Sequence, residues 1–90
     1  NADKNVKGAY GNTPLMWATN KGHLKVVEYL VDQIRADFDV RNNDGNVALH
    51  DAVRSGDLGI VKYLVERGAN IKIANNNGET PLELAKTMDR

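Results

Sequence analysis

Gly11-Asn12-Thr13-Pro14-Leu15-Met16-Trp17-Ala18, continuing through Gly22-His23-Leu24 to Tyr29-Leu30-Val31, is the stretch that decides how this chain is read. It encodes two short helices. The Thr13 hydroxyl can accept a hydrogen bond from a free backbone N–H at a helix start, and Pro14 then fills the first helical position, where its missing N–H costs nothing. Gly22 can end that helix in the left-handed conformation. His23-Leu24 opens a second helix, with Leu24, Val27, Leu30 and Val31 on one face.

Outward from this stretch the pattern recurs. Gly45-Asn46-Val47-Ala48-Leu49-His50-Asp51-Ala52 lies 34 residues later, and Gly56-Asp57-Leu58 repeats Gly22-His23-Leu24. Val61, Tyr63, Leu64 and Val65 repeat Val27, Tyr29, Leu30 and Val31. A third copy, Gly78-Glu79-Thr80-Pro81-Leu82-Glu83-Leu84-Ala85, follows 33 residues after the second. Self-similarity at this period is the mark of a stacked-repeat protein.

The motif resembles the ankyrin repeat, in which Gly-x-Thr-Pro-Leu-His-x-Ala leads to Gly-His-Leu and then Gly-Ala-Asp. The resemblance covers essentially all 90 residues. It implies an all-α solenoid of helix-turn-helix units with short hairpin-like finger loops. The units are expected at 1–10 (tail of a preceding repeat), 11–44, 45–77 and 78–90 (first half of a further repeat). Val6, Val40 and Ile73 would anchor the fingers inward. Their tips are expected at Gly8-Ala9-Tyr10-Gly11, Asn42-Asn43-Asp44-Gly45 and Asn75-Asn76-Asn77-Gly78.

Local departures carry expectations of their own. Repeat one has Gln33-Ile34-Arg35-Ala36 where repeat two has Arg67-Gly68-Ala69, so its second helix is expected to run longer, to about Arg35, with Ile34 on the buried face. Repeat two has Val47 and Ala48 in place of Thr-Pro, a lost cap that typically costs ~1 kcal/mol. Gly59 inside a helix costs roughly another 1 kcal/mol relative to Ala. Thr80 and Glu83 can form a capping box. The helix after Pro81 is expected to pack through Leu82, Ala85 and Met88. Both ends of the array are expected to be open apolar surfaces, which leaves self-association through uncapped ends open.

Bulk properties exclude several functions. Twelve basic and twelve acidic residues give zero formal net charge, which argues against a phosphate-backbone binder, so no nucleic acid is expected. No long apolar run is present, so no membrane contact by this segment is expected. With no Cys there is neither a disulfide frame nor a thiolate metal site. An intracellular setting is expected, the cytoplasm ahead of the nucleus. The two histidines, His23 and His50, occupy positions where the ankyrin pattern often carries His as a bridge to the turn or the next repeat, and their spacing supplies no zinc set. The single Ser55 has no base placed by spacing, and no Gly-Lys-Ser/Thr loop follows the glycines. No catalytic set, cofactor site or metal site is expected.

Binding is the better expectation. In ankyrin arrays partners contact the finger tips and the exposed side of the first helices. Carried over residue by residue, this nominates Tyr10, Asn12, Trp17, Lys21, Arg41, Asn43, Asp44, Asp51, Arg54, Asn76 and Asn77 for a protein partner of unknown identity; Met16, Asn46, Glu79 and Ser55 also fall at such positions. Tyr10 and Trp17 stand out because aromatic residues dominate binding hot spots. Each has a structural alternative: Tyr10 as an ordinary turn residue, Trp17 as packing against the neighbouring helix. Asn in the tips has a backbone reason of its own. Similar repeats are also attached to kinases, channels and acyltransferases, so a regulatory or substrate-recruiting segment of a larger protein is the alternative, and a non-binding spacer a third.

Overall fold

The computed structural model describes residues 8–88. Among these residues five α-helices follow one another: α1 (Pro14–Asn20), α2 (Leu24–Asp32), α3 (Ala48–Ser55), α4 (Leu58–Glu66) and α5 (Pro81–Met88). Among the described residues there is no strand. α1 packs on α2 and α3 on α4; α1, α3 and α5 stack in one layer, with α2 against α4 in the other. This is a helical solenoid of stacked pairs.

The caps explain where the helices begin. The Thr13 hydroxyl accepts from the Met16 N–H at 3.3 Å. Thr80 and Glu83 form the reciprocal box: Glu83 N–H donates to the Thr80 hydroxyl at 3.1 Å, and Thr80 N–H to Glu83 Oε1 at 3.2 Å. At α4 the Asp57 carboxylate accepts from Ile60 N–H at 3.2 Å. α3 begins without a side-chain cap from Val47, but the reciprocal half of a capping box is kept. His50 Nδ1 takes the Val47 N–H at 3.0 Å, the role Glu83 plays in α5.

A single apolar cluster runs through both complete pairs. It includes Leu15, Met16, Ala18, Val27, Leu49, Ala52, Ile60 and Leu64, all essentially inaccessible. Burial of a side chain such as Leu64 contributes about 1.5–3 kcal/mol. Each pair supplies part of the wall against which the next packs, as repeat arrays require. Met16, expected at the surface, lies inside this cluster at 1 % exposure.

Two packing expectations are corrected. α2 is nine residues long, as is α4, and does not extend to Arg35. The additional residue is taken up in the turn instead. In repeat two, Ala69 N–H closes onto the Leu64 carbonyl across Gly68 at φ 98°; in repeat one, Ala36 N–H closes onto the Leu30 carbonyl, one residue wider, and Arg35 takes the left-handed position at φ 64°. Ile34 is half-buried beside it. An L side chain in that conformation is disfavoured by about 1–2 kcal/mol. Arg35→Gly is therefore expected to stabilise the protein by about 1 kcal/mol after the entropy Gly loses on folding. Thermal unfolding should shift upward by roughly 4 °C; an unchanged or lower midpoint would rule out strain at Arg35.

α5 packs through other residues than expected. Pro81 is buried and Leu84 half-buried, whereas Leu82 is 43 % exposed and Ala85 is exposed. The matching Leu15, Leu49, Ala18 and Ala52 are all buried, in helices that each have a second helix packed on them. Among the described residues α5 has no such partner, so that face stays open. The Met88 side chain and Val6 lie outside the described residues. Val40 and Ile73 are half-buried, as finger anchors would be. Open apolar surface is also found on Trp17, Val26 and Tyr29 at the first pair and on Leu58 and Val65 of α4.

Candidate functional site: a polar concave face

The three finger tips are one device used three times. At each, the first residue's N–H donates to the carbonyl four residues on, and the glycine N–H returns to the first carbonyl: Gly8 with Asn12 and Gly11, Asn42 with Asn46 and Gly45, Asn75 with Glu79 and Gly78. The bond lengths lie between 2.7 and 3.0 Å. The tips are tied together by Asn43 N–H to the Tyr10 carbonyl (3.0 Å) and Asn76 N–H to the Asp44 carbonyl (2.9 Å).

Asn42 and Asn75 hold this ladder with their side chains. Asn42 Oδ1 accepts from the N–H groups of Asp44 and Asn46, while its Nδ2 reaches back to Asn12 Oδ1 at 2.9 Å. Asn75 Oδ1 accepts from Asn77 and Glu79 N–H, and its Nδ2 reaches Asn46 Oδ1 at 2.8 Å. Sequence reasoning did not single out this pair. The signal was there: both stand three residues before a recurring glycine, 33 residues apart.

The fourth residue of each first helix is Trp17 on α1, Asp51 on α3 and Leu84 on α5, the last two lining clefts between tips and helices. Two clefts open between tips and helices. One, of about 490 Å³, is lined by Tyr10, Asn12, Asn20, Asn42, Asp44, Asn46, Asp51, Arg54 and Ser55. The other, of about 390 Å³, shares Asp44, Asn46 and Arg54 with it and adds Asn75, Asn76, Asn77, Glu79 and Leu84.

The nominated residues are found in different conditions. Tyr10 is 78 % and Trp17 55 % exposed, so Trp17 is not consumed by packing; its ring tilts against His23 at 5.8 Å. Lys21 is exposed at the end of α1, and Arg41 is exposed just before the second tip. Asn43, Asp44, Asn76 and Asn77 are exposed at the tips, and Arg54 is exposed on α3. Asn12 is half-buried and Asn46 is buried, both held by the ladder. Asn76 also donates to the Asn43 carbonyl at 3.0 Å, so those two serve the stack as well as the surface.

Two buried polar residues sit side by side on α3. His50 is fully covered. Because its Nδ1 accepts from Val47 N–H, its proton is on Nε2, which donates to the Glu79 carbonyl at 2.9 Å. The ring thus caps its own helix and ties repeat two to repeat three. Burial lowers its pKa; Arg41 and Arg54 push the same way, against the Glu79 contact. Asp51 is 5 % exposed, and its Oδ2 has no hydrogen-bond partner. Desolvation raises its pKa to about 6, tempered by Arg54 and reinforced by Asp44. A pKa raised above the unfolded value means that Asp51 supports folding fully below about pH 3.8 and loses that contribution as pH rises through about 6. The charged form is therefore kept at a cost to stability at neutral pH.

On the opposite layer, Arg67 pairs with Asp32 at 3.1 Å, lies over the Tyr63 ring at 5.3 Å, and Tyr63 donates to the Glu28 carbonyl at 3.5 Å. These contacts join α2 to α4 and give Tyr63 a structural role. Among the described residues no three His, Asp or Glu gather as metal ligands, and no helix is long and apolar enough to cross a membrane.

No curated protein matches the chain. The family profile described as "Ankyrin repeats (3 copies)" matches residues 1–75, most of its length. Stacked helix pairs, tied finger tips and this match agree: the chain belongs to the ankyrin-repeat family, whose repeats generally mediate protein–protein interaction.

Proposed function

We propose that this chain is a non-catalytic recognition module that binds a protein partner on its concave face, along the finger tips and the Trp17, Asp51 and Leu84 row. The observation that carries the reading is the contrast between Trp17 and Met16. They are adjacent on α1, yet Met16 is 1 % and Trp17 55 % exposed, in line with Tyr10 at 78 %. Two large aromatic side chains on one polar face suit a contact surface, because truncation of such anchors typically costs 2 kcal/mol or more of binding. On this reading the repeating units are 11–44 and 45–77, with 1–10 and 78–90 matching the corresponding parts of the neighbouring repeats. Within a larger enzyme or membrane protein the same face would recruit a substrate or a regulator.

A display selection of peptide binders against the whole chain tests this. Binders are expected to lose about tenfold or more in affinity against a Tyr10→Ala, Trp17→Ala double variant. Charge reversal at the exposed Lys25 and Lys62 of the second helices is expected to leave them unchanged. The opposite pattern would move the surface to the α2 and α4 layer and end the proposal.

A further inference from the structure

Of the acceptors in the larger cleft, most are already engaged. The amide oxygens of Asn12, Asn42 and Asn46 each receive a hydrogen bond from within the finger ladder. Asp51 differs: its Oδ2 has no partner although the residue is 95 % covered, and it lines the cleft. An unsatisfied buried carboxylate oxygen is costly, and a donor that reached it would recover much of that cost. The oxygen has no accessible surface of its own, so a donor from the cleft reaches it through a partial turn of the Asp51 side chain about χ1 and χ2. Arg54 lines the same cleft but forms no ion pair with Asp51 among the described residues. The lining carboxylates, Asp44 and Asp51, outnumber that one cation. Tyr10 adds an open aromatic face at the cleft, which attracts cations.

We propose that Asp51 is the specificity residue of the concave cleft and receives a cationic side chain, Arg or Lys, from the docked protein partner. This rests on the concave-face reading above and adds the chemistry of one contact to it. A guanidinium or ammonium brings what the site lacks: an N–H donor for the orphan oxygen and a positive charge beside a desolvated carboxylate. Arg fits best, since its guanidinium offers several N–H donors in one plane and keeps its charge beside a desolvated carboxylate. The outlay in stability that keeps Asp51 charged is thereby recovered in the complex.

The test uses the whole 90-residue chain and capped tripeptides Gly-X-Gly, with X as Arg, Lys, Gln or Glu, followed by amide NMR shifts. The Arg and Lys peptides are expected to give saturable shifts centred on residues 50–55 and the second finger tip. The Gln peptide is expected to bind about tenfold more weakly, and Asp51→Asn to weaken the Arg peptide by a similar factor. Asp51→Asn preserves shape and relieves the buried charge, so it should fold at least as well. Equal binding of the Arg and Gln peptides, an unchanged affinity in Asp51→Asn, or preference for the Glu peptide through Arg54 would each overturn the proposal. Selected binders that need Tyr10 and Trp17 but place no cation at Asp51 would sink this inference alone and leave the concave face standing.

Discussion

Gly45→Ala is expected to destabilise the protein by about 2–5 kcal/mol, far more than the same change at Gly78. Both glycines sit at the end of a finger tip with φ of 78°. Adopting that conformation costs an L residue about 1–2 kcal/mol at either site. They differ in what a Cβ would meet. At Gly78 nothing lies within 4 Å, whereas at Gly45 the new carbon would fall 2.7 Å from the Asn76 backbone nitrogen and 2.5 Å from its Oδ1. Asn76 cannot yield freely, because its N–H is bonded to the Asp44 carbonyl and its Nδ2 to the Asn43 carbonyl. Relief requires the third tip to move off the second, and such overpacking costs roughly a further 1–3 kcal/mol. Gly11 meets Asn43 in the same way. Urea midpoints of the two single variants measure the difference directly. If Gly45→Ala and Gly78→Ala lose the same stability, the tips are not in the close register described.

How far the fold could be read from the residues depended on which forces act locally. Thr13, Pro14, Thr80, Pro81 and Glu83 announce helix starts because a cap is made within four residues, and the structure places all of them at caps. The period of the glycines set the stack because tip glycines face the next tip. What escaped depends on neighbours distant in sequence. The insertion near Ile34 reads equally well as a longer helix or a wider turn; the carbonyl of Leu30 decides, by holding Ala36. Leu82 carries the same local signal as Leu15 and Leu49, but burial needs a second helix that α5 lacks among the described residues. Asp51 reads as an exposed first-helix residue like Trp17, and only the stacked tips reveal that it is covered. The lost side-chain cap at Val47 is as expected; what escaped is that His50, three residues on, accepts the Val47 N–H and supplies the other half of a capping box.

That double use makes His50 the second site of large effect. His50→Leu keeps roughly the volume but leaves the buried Val47 N–H without its side-chain acceptor and removes one of the two hydrogen bonds that the Glu79 carbonyl accepts, the other coming from Asn75 N–H. The orphaned N–H costs about 1–3 kcal/mol and the lost bond to Glu79 about 0.5–1.5 kcal/mol, so a loss of about 1.5–4.5 kcal/mol is expected. Small domains are stable by only about 5–15 kcal/mol, so this is a large share of the total. The loss should be uneven: hydrogen exchange should quicken first in α5, which the Glu79 contact holds to α3. The same geometry fixes a pH response. Protonated His50 would point a second N–H at the Val47 N–H, and burial already lowers its pKa. With the folded pKa below the unfolded value near 6.5, His50 contributes fully above that pH, and the contribution falls away as pH drops through the folded value. Asp51 acts in the reverse sense, gaining as pH falls from above about 6. The two adjacent residues therefore offset each other in the wild-type protein. Removing the offset with Asp51→Asn should expose a steeper loss of stability between about pH 7 and 5.5, and adding His50→Leu should flatten it. A slope that survives His50→Leu, or a His50→Leu variant as stable as its parent, would show that the ring is not the link between the repeats.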